Sequence, residues 1–216
     1  MSSVNKKTFK YFVFGVDSAV YSWLSLALVV LVAYFESLQS VIGIVIFLPP
    51  VILALILYYA LNKYRHLKSG RAGLNKFILI VFCETGWVVA MLVSTIGEDF
   101  PPIIDTSFYT TFISALPASL VGMLFVAFAI YRCIKIPSGF SLIRFFSVML
   151  MSSIIGIAVF SFIYSYLTGN PVYLMAFSFD KLLSDTLIYL LLFMSWHVTL
   201  FMTLPLVISD KMTEIK

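Results

Sequence analysis

Six long apolar stretches constrain this chain more than any other feature of its sequence. Each holds about 20 residues, the length that a helix rising ~1.5 Å per residue needs to cross a hydrocarbon core about 30 Å thick. The stretches are apolar on every face and lack a two-residue alternation, so they predict helices rather than barrel strands. The six predicted spans are Tyr11–Tyr34, Val41–Leu61, Phe77–Ile96, Tyr109–Tyr131, Phe145–Leu167 and Ser184–Ile208.

The composition excludes a water-soluble fold. Of the 216 residues, 62% are hydrophobic and only 11% are charged, whereas about a quarter of the residues in a soluble domain are charged. No segment between spans exceeds about sixteen residues, which is too short to bury a core of its own. The predicted fold is therefore all-α, a single polytopic membrane bundle of six transmembrane helices over residues 1–216.

The positive charges predict the orientation of the bundle. With the N-terminus inside, thirteen of the 14 Lys and Arg residues fall on the cytoplasmic side, and only Lys181 falls outside. This bias is the positive-inside rule for an even number of spans with both termini in the cytoplasm. We therefore predict an integral protein of the bacterial inner membrane. Topology explains the positive charge, so no nucleic-acid partner is predicted.

Three titratable residues lie inside predicted spans: Asp17, Glu84 and His197. Such residues are costly in hydrocarbon and are often functional. By the helical rise, Asp17 and Glu84 lie about 10 Å below the inner surface and His197 about 6 Å deeper. One interpretation is a proton or cation relay through the three residues. A second is structural, with polar side chains holding packed helices together, and a third is ligand binding.

Two further patterns concern helix shape and packing. Pro49 and Pro50, near the middle of the second span, predict a kink or break, which is either a transporter-like site or a simple kink. Ser114, Ala118 and Gly122 recur every fourth residue in the fourth span. Small residues at this spacing allow close helix packing, either within the chain or in a homo-oligomer.

The largest predicted cytoplasmic feature is the loop of residues 62–76. It is either a topology signal lying on lipid head groups or a docking surface for a cytosolic protein, with Gly70 and Gly73 providing freedom to adapt. Its five cations are Lys63, Arg65, Lys68, Arg71 and Lys76.

The sequence predicts no catalytic residue, no metal site and no cofactor. It contains neither a Gly-rich phosphate loop nor a His-Glu-x-x-His motif. We predict a non-enzymatic, self-associating inner-membrane subunit that anchors or signals to a cytosolic partner. Small subunits of this kind occur in bacterial defence and immunity systems, an analogy of form alone. The alternative is a small transporter or proton-coupled channel that uses Asp17, Glu84 and His197.

Overall fold

The computed structural model describes five stretches of the chain and part of a sixth. They are residues 42–63, 67–96, 107–136, 140–168 and 195–204, together with Val16, Asp17, Val20 and Leu24. The predicted first span is described only at these last four residues, which are helical, and the predicted sixth span only at residues 195–204. Both chain termini and the segment between Thr168 and residue 195 lie outside the described residues.

The described part of the chain is all-α. Its four long helices are α1 (Ile42–Lys63), α2 (Ala72–Ile96), α3 (Ser107–Cys133) and α4 (Leu142–Thr168), and residues 195–204 are also helical. Within these residues there is no β-strand, and Leu67 and Ile134 form an isolated antiparallel bridge. The predicted second to fifth spans fall within or close to α1 to α4, which extend beyond them by up to five residues.

Three of the helices are long and apolar enough to cross a membrane. The qualifying segments are Ala72–Ala90 of α2, Ala115–Cys133 of α3 and Leu142–Ile163 of α4. In α1 the apolar stretch Pro49–Lys63 is shorter. These lengths follow from the apolar runs, because ~20 residues of helix match the thickness of the hydrocarbon core.

Consecutive helices pack against each other around one core. The contact between α2 and α3 is the most extensive, followed by α3 with α4 and α1 with α2. Short connections force neighbouring helices to run antiparallel. The core is built of fully buried side chains from all four helices and from residues 195–204, including Leu57, Leu79, Met123, Ile130, Phe145, Met149, Leu200 and Phe201.

Of the kink or break predicted at Pro49 and Pro50, the structure excludes the break, and the kink stays a prediction. Helix α1 runs through both prolines from Ile42 to Lys63, and both proline rings are buried. Each proline lacks the N–H that would bond to the carbonyl four residues earlier, but membrane helices tolerate this loss because neighbouring groups satisfy the freed carbonyls. The prolines therefore act as packing residues of a continuous helix.

The start of α2 also differs from the prediction. Residues 72–76 belong to this helix, although they were predicted to be loop. Their polar character reflects a position at the end of the helix, because helices extend beyond the apolar segment that crosses the bilayer. The predicted flexible loop is thus reduced to the segment between Lys63 and Ala72.

Candidate functional site: the basic end of the bundle

All positive charges of the described residues lie at one end of the helical bundle. At this end α1 terminates, α2 begins, α3 terminates and α4 begins. The opposite end of these helices carries no Lys or Arg among the described residues. The cations of this basic end are Lys63, Lys68, Arg71, Lys76, Arg132, Lys135 and Arg144.

A short segment, residues 67–71, crosses the C-terminal end of α3, and we call it the strap. The backbone N–H of Lys68 donates to the carbonyl of Cys133 over 3.0 Å. The Nζ of the same residue donates to the carbonyl of Arg132 over 2.7 Å. The last carbonyls of a helix have no partner within it and carry its negative partial charge. Lys68 therefore caps α3.

The strap is also fixed to the first turn of α2. The buried side chain of Asn75 donates from Nδ2 to the carbonyl of Lys68 over 3.1 Å, and Cys133 Sγ contacts the carbonyl of Asn75 at 3.6 Å. Gly70 has a φ of 76°, a conformation that favours glycine. Gly73 lies within α2. The two glycines thus serve a defined turn and a helix, not the adaptable loop that the sequence predicts.

The cations of the predicted basic loop have different environments. Lys63 Nζ lies 3.5 Å from the carboxylate of Asp17, with both side chains 45% exposed. The ammonium of Lys76 lies 4.8 Å from the centre of the Tyr58 ring, a cation–π contact. Arg71 is exposed at the end of the strap, and Arg65 lies outside the described residues. Three of the five predicted docking cations therefore have contacts within the chain: Lys63, Lys68 and Lys76.

The structure gives the three intramembrane candidates separate surroundings. Asp17 pairs with Lys63 at the basic end. Glu84 is half-buried on α2, twelve residues after that helix begins. His197 is fully buried, with its ring centre 5.8 Å from that of Trp196. The relay through these residues stays a prediction.

One small residue of the α3 stripe, Gly122, packs within the chain. Gly122 is buried against α2, where a Cβ added to it would lie 3.5 Å from the Cβ of Ala90 and 3.8 Å from the carbonyl of Gly86. Ala118 is half-buried, and the side chain of Ser114 is not among those that the structure describes. Gly122 therefore serves the α2–α3 contact, and self-association through the stripe stays a prediction.

A second polar contact joins three helical segments near the middle of the bundle. Ser119 of α3 and Ser153 of α4 share a hydrogen bond of 2.5 Å between their hydroxyl oxygens. The indole N–H of Trp196 donates to the same Ser153 hydroxyl over 2.9 Å. Sequence reasoning did not single out Ser153 or Trp196, because their partners lie 34 and 43 positions away along the chain.

Close backbone approach accompanies this polar contact at Gly156 of α4. A Cβ at Gly156 would lie 2.7 Å from Thr199 Oγ1 and 3.0 Å from the Cα of Trp196. Only a residue without a side chain allows the 195–204 segment to lie this close. The spacing of Ser152 and Gly156 was the signal available in the sequence.

In the part of the chain that the structure describes, the fold and these contacts define an α-helical protein with three helices long and apolar enough to cross a membrane and one strongly basic end. Within the described residues no group of three or more His, Cys, Asp or Glu side chains is placed to hold a metal ion. Comparisons with models of known protein families, with curated proteins and with solved structures found no match to this chain.

Proposed function

We propose that this chain is a non-enzymatic membrane subunit that docks a cytosolic protein at its basic end. The proposal includes six spans, both termini in the cytoplasm and a bacterial inner membrane. Its support is the placement of every described cation at one end, because cytoplasmic ends of membrane proteins carry the excess of Lys and Arg. Activity would reside in the partner, as in other small polytopic subunits.

The observation that carries the docking proposal is that hydrogen bonds hold the strap in a fixed position. A hydrogen bond from Lys68 fixes it to the end of α3, and one from Asn75 fixes it to the first turn of α2. Ser69, Gly70 and Arg71 remain exposed. A surface that is already ordered loses little entropy when it binds. The strap thus offers a rigid, polar and positively charged surface to an acidic face of a partner protein.

Arg71 is the residue of this surface that we expect to contact the partner. A guanidinium binds a carboxylate through two parallel hydrogen bonds, which gives orientation as well as attraction. Lys63 and Lys68 already contact Asp17 and the end of α3. Replacing all five loop cations together would therefore disturb the fold as well as the docking surface.

A photo-crosslinking residue at position 69 tests the docking proposal in living cells. We expect a discrete protein adduct from the parent, and we expect Arg71→Gln to reduce its yield about tenfold or more, because one charge-assisted pair contributes about 1.5–3 kcal/mol. The same crosslinker at position 151, on the exposed surface of α4, is the control and should not give this adduct. The absence of a position-specific adduct, or a yield that Arg71→Gln leaves unchanged, would contradict docking at the strap.

A further inference from the structure

The described residues around the end of α3 and the start of α4 present a second basic surface with a different character from the strap. We call it the elbow and define it by Arg132, Lys135, Ile136, Leu142, Ile143 and Arg144. Its cations alternate with large aliphatic side chains that are exposed: Ile143 is 81%, Ile136 48% and Leu142 46% exposed. The exposed part of the strap, by contrast, consists of Ser69, Gly70 and Arg71 and has no large apolar side chain.

An ordered set of aromatic rings supports the elbow from below. The ring of Phe140 stacks on Tyr131 with centres 6.2 Å apart and lies 5.5 Å from Phe145. Phe146 meets Phe145 edge to face at 5.4 Å. Among these rings Tyr131 is of the type, Trp or Tyr, that concentrates at the level of the lipid head groups. These ring contacts hold the end of α3 and the start of α4 together beneath the elbow.

The helix that leaves the elbow begins at a fixed point. The backbone N–H of Arg144 donates to the hydroxyl of Ser141 over 3.2 Å, which is the usual geometry of a helix N-cap. The cap fixes where the first turn of α4 starts, and therefore where Ile143 and Arg144 lie relative to the end of α3. The cap thus fixes an exposed aliphatic side chain, Ile143, and an exposed cation, Arg144, as neighbours in the first turn of α4.

We propose that the elbow binds an anionic phospholipid of the cytoplasmic leaflet. Arg132, Lys135 and Arg144 contact the phosphate and the negatively charged head group, while Ile136 and Ile143 contact the acyl chains. Charge complementarity supports the head-group half of this contact. The exposed isoleucines support the contact with acyl chains. Burying an aliphatic side chain in hydrocarbon is favourable, whereas leaving it against water or an acidic protein surface is unfavourable.

The test uses native mass spectrometry of the purified protein with added phosphatidylglycerol, and with phosphatidylcholine for comparison. The first variant is Arg132→Gln with Lys135→Gln, and the matched control is Arg71→Gln with Lys76→Gln, which removes the same charge outside the elbow. We expect the elbow variant to weaken phosphatidylglycerol binding about tenfold or more and the control to change it less than about twofold. Phosphatidylcholine should bind the parent more weakly than phosphatidylglycerol.

A second variant, Ile143→Ser, tests the acyl-chain half while leaving every cation in place. We expect this variant to weaken phosphatidylglycerol binding. Glycerol phosphate, which has the head-group charge but no acyl chain, should not displace the bound phosphatidylglycerol. Equal losses in the elbow and control variants would overturn the proposal, as would equal binding of the two lipids or full displacement by glycerol phosphate. The elbow variants leave Ser69 and Arg71 intact, so the position-69 adduct shows separately whether docking at the strap holds.

Discussion

Gly156→Ala is expected to destabilise the folded protein by about 1–3 kcal/mol, the cost of forcing extra volume into a packed core. The new Cβ would lie 2.7 Å from Thr199 Oγ1 and 3.0 Å from the Cα of Trp196. Thr199 cannot easily yield, because its hydroxyl donates to the carbonyls of Ser195 and Trp196 at 3.1 and 3.0 Å. Unfolding in a detergent titration, followed by circular dichroism, measures the loss.

Two controls separate this clash from a general effect of alanine. At Gly73, which also lies in a helix, an added Cβ meets nothing within 4 Å, so Gly73→Ala should be neutral or slightly stabilising. Adding Thr199→Ala to Gly156→Ala removes the 2.7 Å contact but leaves the backbone of Trp196, and should restore part of the stability. If Gly156→Ala is as stable as the parent, the close approach of the 195–204 segment to α4 is wrong.

Gly86→Ala should have a comparable effect at the contact between α2 and α3. Its Cβ would lie 2.7 Å from the Cβ of Phe125 and 3.3 Å from the carbonyl of Gly122. A Cβ atom cannot move without its backbone, so the two helices must separate, at a cost of about 1–3 kcal/mol. The thermal unfolding midpoint in detergent should fall accordingly.

The matched control for Gly86 is Gly122→Ala in the facing helix. There the added Cβ would make an ordinary contact of 3.5 Å with Ala90, so we expect a change within about 0.5 kcal/mol. The opposite order of stabilities, with Gly122→Ala the weaker protein, would show that the two helices cross elsewhere.

Sequence reasoning recovered the helices because apolar length alone dictates them. The runs that predict the second to fifth spans end close to the observed ends of α1 to α4. A break does not form at Pro49 and Pro50, because tertiary packing overrides the local preference of proline to end a helix. Sequence reasoning placed residues 72–76 in a loop, because hydropathy marks the apolar part of a helix and not its polar start.

The candidate site was less predictable, because it depends on contacts between distant parts of the chain. The sequence identified Lys68 as a cation, but its acceptor is a carbonyl 64 positions away. Nothing in the spacing of the loop predicts that Lys68 caps α3 while Arg71 stays exposed. In the same way, Gly86 is an isolated glycine in the sequence, and only the position of Phe125 shows why a side chain cannot be accommodated there.

The most direct test of the proposed function is to measure which side of the membrane the basic end faces. Both native cysteines are first replaced, by Cys83→Ala and Cys133→Ser. Two single-cysteine variants are then made, Ser69→Cys in the strap and Asp99→Cys between α2 and α3, and each is treated with a membrane-impermeant maleimide. In intact spheroplasts we expect labelling of the Asp99→Cys variant only, with Ser69→Cys labelled after lysis. Labelling of Ser69→Cys in intact spheroplasts, with Asp99→Cys protected, would contradict a cytoplasmic basic end and docking of a cytosolic partner there.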